Sequence, residues 1–257
     1  MNKTFALLAL VLVCSASVEA AWTTDTRATS DSVITLSSCT SRVRSIIDDP
    51  NTTSGTVRYS SATIHSLINV GQRIMAVNTM SIKSYATQSL TINTTEYLMP
   101  SDCIAIDRIT LTKPDGKGPK VIPQSTVFHL DVDKGKEWSI KTSTPTAYYI
   151  RNRHIGMYPY PNGSNFTLTV WYTKLPAYMT AESDYVFDGY NQMEIHWNAL
   201  ASYAAAQLLM QDGNTALADK YFAEFVGGME SAVMWMNNHP AFTPNMSGAD
   251  NYNYKKQ

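Results

Sequence analysis

The sequence predicts an α+β protein: an antiparallel helical bundle built from helix pairs at the two ends of the chain, an antiparallel β domain inserted between them, and an extended C-terminal tail. Three observations predict it. Apolar residues recur at three- and four-residue spacing in two stretches before residue 82 and in two more after residue 181, the period of helices buried on one face. Between those pairs, from about Ile82 to Tyr178, several runs alternate apolar and polar residues as half-buried strands do. Beyond Pro240 no period survives. The expected division is a signal-like leader at 1–20, an arm and helix pair at 21–81, the β domain at 82–180, a helix hairpin at 181–239 that completes the bundle, and a tail at 240–257.

The first 20 residues have the form of a secretory signal peptide: a cationic Met1-Asn2-Lys3, an apolar Phe5–Val13, and small residues ending at Ala20 for cleavage before Ala21. The apolar run is too short to span a membrane. A lipoprotein site at Cys14 is disfavoured by the bulky Val13. The alternative is an uncleaved apolar helix buried in a neighbouring subunit. Residues 21–32 are polar and small, and read as extended or disordered.

Thr35 is placed to cap a helix whose stripe is Cys39, Val43, Ile46 and Ile47, with Arg42 and Arg44 expected outward and Asp48-Asp49-Pro50-Asn51 as its end. Ser60 or Ser61 opens a second helix carrying Ile64, Leu67, Ile68, Gly71, Ile74 and Met75. A glycine inside a helix costs about 1 kcal/mol, so Gly71 on the apolar face predicts a partner helix in close approach.

In the middle, Ser89–Asn93 and Ile104–Leu111 alternate, with turn chemistry in Lys113-Pro114-Asp115-Gly116-Lys117-Gly118. Ala147–Ile150 and His154–Tyr158 read as strands joined by Arg151-Asn152-Arg153. Tyr158–Gly163 is a proline-bracketed turn, and Phe166–Tyr172 is the clearest strand. At the C-terminal end Asp188 is a candidate cap for a helix bearing Tyr190, Met193, Trp197, Leu200, Ala201, Ala204 and Leu208. Asp212-Gly213-Asn214 stops it, and a second helix follows with Leu217, Tyr221, Phe225, Met229, Val233 and Met236 on one side. Two helices joined by so short a turn are antiparallel neighbours.

The tail is compositionally disordered yet carries Phe242, Met246, Tyr252 and Tyr254, then Lys255 and Lys256. Aromatics in a structureless segment suit docking on a partner; the plainer reading is a flexible terminus.

At 257 residues the chain is long enough to bury a core, with a formal net charge of -1 and 16% charged residues. It has no basic stripe of the kind nucleic-acid binding requires. Cys39 and Cys103 sit among apolar neighbours and fit buried thiols or one disulfide equally. Sequons occur at Asn51, Asn93, Asn162, Asn165 and Asn245 in a chain rich in Asn, Ser and Thr.

No catalytic or metal constellation emerges, and no cofactor is implied. His65, His129, His154, His196 and His239 are scattered, and no nucleophile elbow, phosphate loop or dinucleotide fingerprint occurs. Asp131-Val132-Asp133-Lys134-Gly135 starts like a calcium loop but lacks the later ligands, and reads as a solvated turn. His196, after Glu194 on a helix, reads as a satisfied residue at a helix seam. These absences favour a structural role.

The order of the pieces resembles the head-to-tail adaptor (connector) proteins of short-tailed bacteriophages. The resemblance rests on Arg42–Asp49, Tyr59–Ile64 and the Asn-X-X-Gln-Arg-like Asn69-Val70-Gly71-Gln72-Arg73. It continues through Tyr97-Leu98-Met99-Pro100-Ser101-Asp102, Thr144–Ile150, Ile155–Pro161, Tyr172–Pro176 and the final helix pair with Ala204-Ala205-Ala206 and Ala218-Asp219-Lys220-Tyr221. It covers about Thr35 to Asn237.

The resemblance implies a non-enzymatic virion protein, assembled in the host cytoplasm as a ring, usually of twelve copies, between the portal protein and the tail tube or nozzle. DNA would pass through the bore without specific binding, and no membrane is involved. It implies that the tail segment of each copy runs along the portal, and the tail residues expected to dock there are Phe242, Met246, Tyr252, Tyr254, Lys255 and Lys256. The loop Lys113–Lys120, with Lys113, Asp115, Lys117 and Lys120, is the candidate tail-facing element. The leader departs from this pattern, because export would remove the subunit. The competing reading is an exported periplasmic or extracellular binding module, supported by the leader, the sequons and the Tyr/Trp-rich β region.

Overall fold

A computed structural model describes residues 22–24, 34–49, 57–115, 118–163 and 165–238. At the start, β1 (Thr23–Thr24) adds an antiparallel edge to the strand at 83–89, and the Trp22 indole donates to the Leu98 carbonyl at 2.7 Å. Helix α1 (Leu36–Ile46) begins where the extended Thr35 accepts the Ser38 N–H on its hydroxyl. It stops at Asp48, whose φ is +53°. Helix α2 (Ser61–Thr79) begins at Ser60, which accepts the Thr63 N–H at 3.1 Å, and closes with Met80 in the left-handed region.

The middle of the chain folds into strands β2 (Lys83–Ser89), β3 (Glu96–Leu98), β4 (Cys103–Thr112) and β5 (Lys120–Ile122), then a short helix α3 (Val127–Lys134). Strands β6 (Thr142–Ser143), β7 (Ala147–Arg151), β8 (His154–Tyr158), β9 (Tyr160–Pro161) and β10 (Thr167–Lys174) follow. Five strands form an antiparallel sheet in the order β1-β2-β10-β4-β5; β3-β8-β7 form a second, and β6 and β9 a short parallel pair. The period of two puts Ala86, Ile109, Leu111, Leu168, Val170 and Tyr172 on one face of the large sheet, packed with Tyr97, Tyr148, Ile155 and Met157 of the small one. The β7–β8 hairpin falls where expected, but Arg151 belongs to β7, paired with His154, leaving Asn152 and Arg153, both at positive φ, as a two-residue turn.

After a 3₁₀ turn at Val186–Gly189 come a single turn α4 (Asn191–Glu194), α5 (Trp197–Gln211) and α6 (Thr215–Asn238). Gly213 at φ +76° closes α5, and the Asn214 N–H returns to the Leu209 carbonyl. Helices from both ends of the chain share one core: Leu36, Cys39 and Val43 of α1, Ile64, Ile68 and Met75 of α2, Leu200, Ala204 and Leu208 of α5, and Phe225 of α6. Helix α5 is buried on nearly all sides, so its run of alanines reads as a central helix that neighbours approach closely.

Gly71 faces the Tyr203 ring, where a Cβ would lie 3.0 Å from Cδ1, so the expected close partner is α5. Gly228 is tighter still: its Cβ would meet that of Ala199 at 2.6 Å.

Several expectations are corrected. Ser89–Asn93 is not a strand; it leaves β2 and turns at Asn93, φ +59°, because the ladder with β10 ends at Ser89. Asp188 caps no helix. It sits at φ +54°, and its carboxylate accepts the Ala177 N–H and pairs with Lys174 at 2.6 Å. The chain is not continuously helical from Tyr190 but breaks at Ile195–His196. Asp131–Lys134 is the last turn of α3, not a loop, and Asp131 accepts the Trp138 indole N–H. Arg44 points inward rather than out, and only 4% of its surface is exposed.

Candidate assembly surfaces

Three of the sequence runs that stand out turn out to hold the fold together. In α2, Asn69 donates to the Met179 carbonyl at 2.9 Å and accepts the Met179 N–H at 2.8 Å, while its second N–H goes to the His65 carbonyl. Gln72, one turn on, donates to the Ala177 carbonyl and to Asn69 Oδ1 and accepts the Phe187 N–H. Both amides are fully buried, so α2 clamps the segment that returns from the β domain to α5.

The second is Arg44 with Asp49. The ions meet at 2.9 Å, Arg44 also donates to the Tyr59 carbonyl and to Ser61 Oγ, and Asp49 accepts the N–H groups of Arg58 and Tyr59. A buried charge needs this many partners. The pair ties the end of α1 to the start of α2.

The third is Tyr97–Asp102. The Tyr97 hydroxyl bonds to both the N–H and the C=O of Thr91. Asp102 Oδ1 accepts the Tyr172 hydroxyl at 3.0 Å, and its carbonyl accepts the Leu175 N–H at 2.7 Å. Burial and the adjacent carboxylate raise the Tyr172 phenol well above its ordinary value.

Of the loop 113–120, Lys113 and Asp115 follow the end of β4 and Lys120 opens β5. Lys113 is half-buried and Asp115 and Lys120 are exposed, all near the β4–β5 end of the large sheet, and Lys117 lies outside the described residues. Phe242, Met246, Tyr252, Tyr254, Lys255 and Lys256 also lie outside them, as does the leader.

Other surface features carry no pattern that the sequence reading used. Phe128 (70% exposed) and Val132 (66%) stand one turn apart on the outside of α3, and Ile140 (74%) follows on the next 3₁₀ turn. Ile140 also lines a groove with Trp138 and Tyr158 and with charges of both signs, Asp133, Lys134, Glu137 and Lys141. The i, i+4 pair Phe128 and Val132 was the available signal for α3, masked by the aspartates at 131 and 133.

Among the described residues no group of three or more His, Cys, Asp and Glu is placed to hold a metal. Cys39 and Cys103 are unpaired. Burial pushes the Cys39 thiol up to about 12 and Cys103 up to about 11, so neither is a thiolate near neutrality. Burial lowers the His196 pKa. No helix among the described residues is long and apolar enough to cross a membrane.

The described residues form a helical bundle with helices from both ends of the chain and a β insertion between them. The SU10 adaptor protein family matches the chain over residues 34–246, most of its length, and the chain belongs to that family. It is a phage adaptor and, as such, a structural component of the virion. No curated protein sequence matches it.

Proposed function

We propose that this adaptor forms a ring of copies, twelve by analogy with connectors of short-tailed phages, that joins the portal of the head to the tail and lets DNA pass through its bore. One observation carries the reading: the family match takes in both cores and runs on to residue 246, past the end of α6 at Asn238 and through Phe242 and Met246. In this reading the functional units are the bundle at 21–81 and 181–239, the β domain at 82–180 and the tail at 240–257.

The tail residues Phe242, Met246, Tyr252, Tyr254, Lys255 and Lys256 dock on the portal protein. Aromatic anchors that order on a partner supply contact area against the entropy of folding on binding. The loop 113–120, with Lys113, Asp115, Lys117 and Lys120, faces the tail tube or nozzle. A formal net charge of -1 suits a bore that conducts DNA rather than holding it, since phosphate contacts would add basic residues.

The test is truncation after Pro240. The shortened chain keeps its helical content and melting transition and loses portal binding in a pull-down. Portal binding equal to that of the full chain contradicts the tail assignment. Charge reversal at Lys113, Lys117 and Lys120 together should block tail attachment to adaptor-bearing heads and leave folding intact.

A further inference from the structure

Two helices of the bundle carry a second apolar stripe besides the one that faces the core. On α2 the outward positions Val70 and Val77, 41% and 43% exposed, lie seven residues apart with the exposed Arg73 between them. Met80 extends the stripe at 41% exposure. On α6 Ala223, Gly227, Glu230 and Met234 recur at i, i+4, i+7 and i+11 on the side opposite the core, all exposed, Met234 at 60%. At about 1.5 Å rise per residue each stripe is roughly 10–18 Å long, enough for one helix–helix crossing.

The charges on the two helices differ in sign. Helix α2 carries Arg73 and no acidic residue, whereas α6 carries Asp219, Glu224 and Glu230 against a single Lys220. Among the described residues neither Arg73 nor Glu230 takes part in a salt bridge. Gly227 points away from the core with nothing within 4 Å of its Cβ position, so nothing in a single copy requires glycine there.

We infer that the α2 stripe of one copy packs on the α6 stripe of the next, with Arg73 beside Glu230 across the contact and the neighbouring helix seated over Gly227. The occupant of each stripe is a second copy of this chain. Such a contact joins two different faces, so it repeats from copy to copy instead of stopping at a dimer, and it makes a ring when the rotation per copy closes. The inference rests on the ring reading above and identifies which faces make the ring.

The experiment compares full-length wild type with Arg73→Glu, Glu230→Arg and the double variant by sedimentation and native mass spectrometry. Each single reversal should raise the concentration needed for assembly at least tenfold, with the melting temperature unchanged. The double variant, with the pair restored in swapped order, should return to within about threefold of wild type. Gly227→Trp should also abolish assembly while leaving the monomer folded, because the position is open in one copy. Single variants that assemble like wild type overturn the inference, as does a double variant no better than its worse parent, or a Gly227→Trp variant that assembles normally. A wild-type chain that stays monomeric at every concentration overturns the ring reading itself.

Discussion

The Asn69 side chain and the Met179 backbone exchange two hydrogen bonds, Nδ2–H to the carbonyl at 2.9 Å and the main-chain N–H to Oδ1 at 2.8 Å. This pairing imitates one rung of a β ladder, supplied by a helix to a strand-less segment. It fixes the return path from the β domain, and with it the position of α5 against α2. Asn69→Leu leaves the N–H and C=O of Met179 buried without partners, at about 1–3 kcal/mol each. A loss of about 2–4 kcal/mol in urea denaturation is expected, and a change below about 0.5 kcal/mol contradicts the clamp.

The three glycines inside α2 and α6, Gly71, Gly227 and Gly228, should respond differently to alanine. Gly227→Ala, on open helix surface, should stabilise a monomeric chain by up to about 1 kcal/mol. Gly228→Ala collides with Ala199 at 2.6 Å and should destabilise by about 1–3 kcal/mol. Gly71→Ala meets the Tyr203 ring at 3.0 Å, and the ring shift should offset the gain in helix propensity. Equal responses at all three positions would show that helix–helix approach does not govern them.

The Arg44–Asp49 pair is buried on both sides. Removing one partner, as in Asp49→Ala, strands a buried charge and should cost about 3–5 kcal/mol. Arg44→Met combined with Asp49→Leu should be much milder than the sum of the singles in a double-mutant cycle; additive losses would count against a direct pair.

Alkaline pH should destabilise the protein. Burial raises the thiol of Cys39 to about 12 and raises the phenols of Tyr97, Tyr148, Tyr172, Tyr190 and Tyr203. In the unfolded chain these groups release protons near about 8.5 for Cys and 10 for Tyr. Between those values and the raised native ones the unfolded state binds fewer protons, so stability is full below about pH 8.5 and falls as pH rises. The urea midpoint should drop steadily from about pH 9 upward. Tyrosinate absorbance should show a fraction of phenols that titrate only on unfolding; a single unperturbed titration would contradict the burial.

Much of the bundle was legible. Thr35, Ser60 and Gly213 announced helix ends through backbone chemistry that acts locally, and the apolar period located all four long helices. Gly71 even announced a neighbour. What failed depended on distant partners. Arg44 looks like a surface cation until Asp49 and the Tyr59 carbonyl are seen to surround it. Asp188 looks like a cap, but Lys174 and the Ala177 N–H take its carboxylate first. The Asn69 and Gln72 amides were visible only as part of a recurring motif, and no periodicity could say that they read the backbone of residues 177–187. The second stripes on α2 and α6 were folded into the core pattern, because Leu67 and Ile74, or Met229 and Val233, sit on the border between the two faces.

The central claim is tested most directly by particle images of the full-length chain mixed with the portal protein of its own virion. The account predicts a closed ring of this chain seated on the portal, open along its axis, with each copy's C-terminal segment running onto the portal surface. Single copies free of the portal, or a secreted monomer lacking residues 1–20, would contradict it.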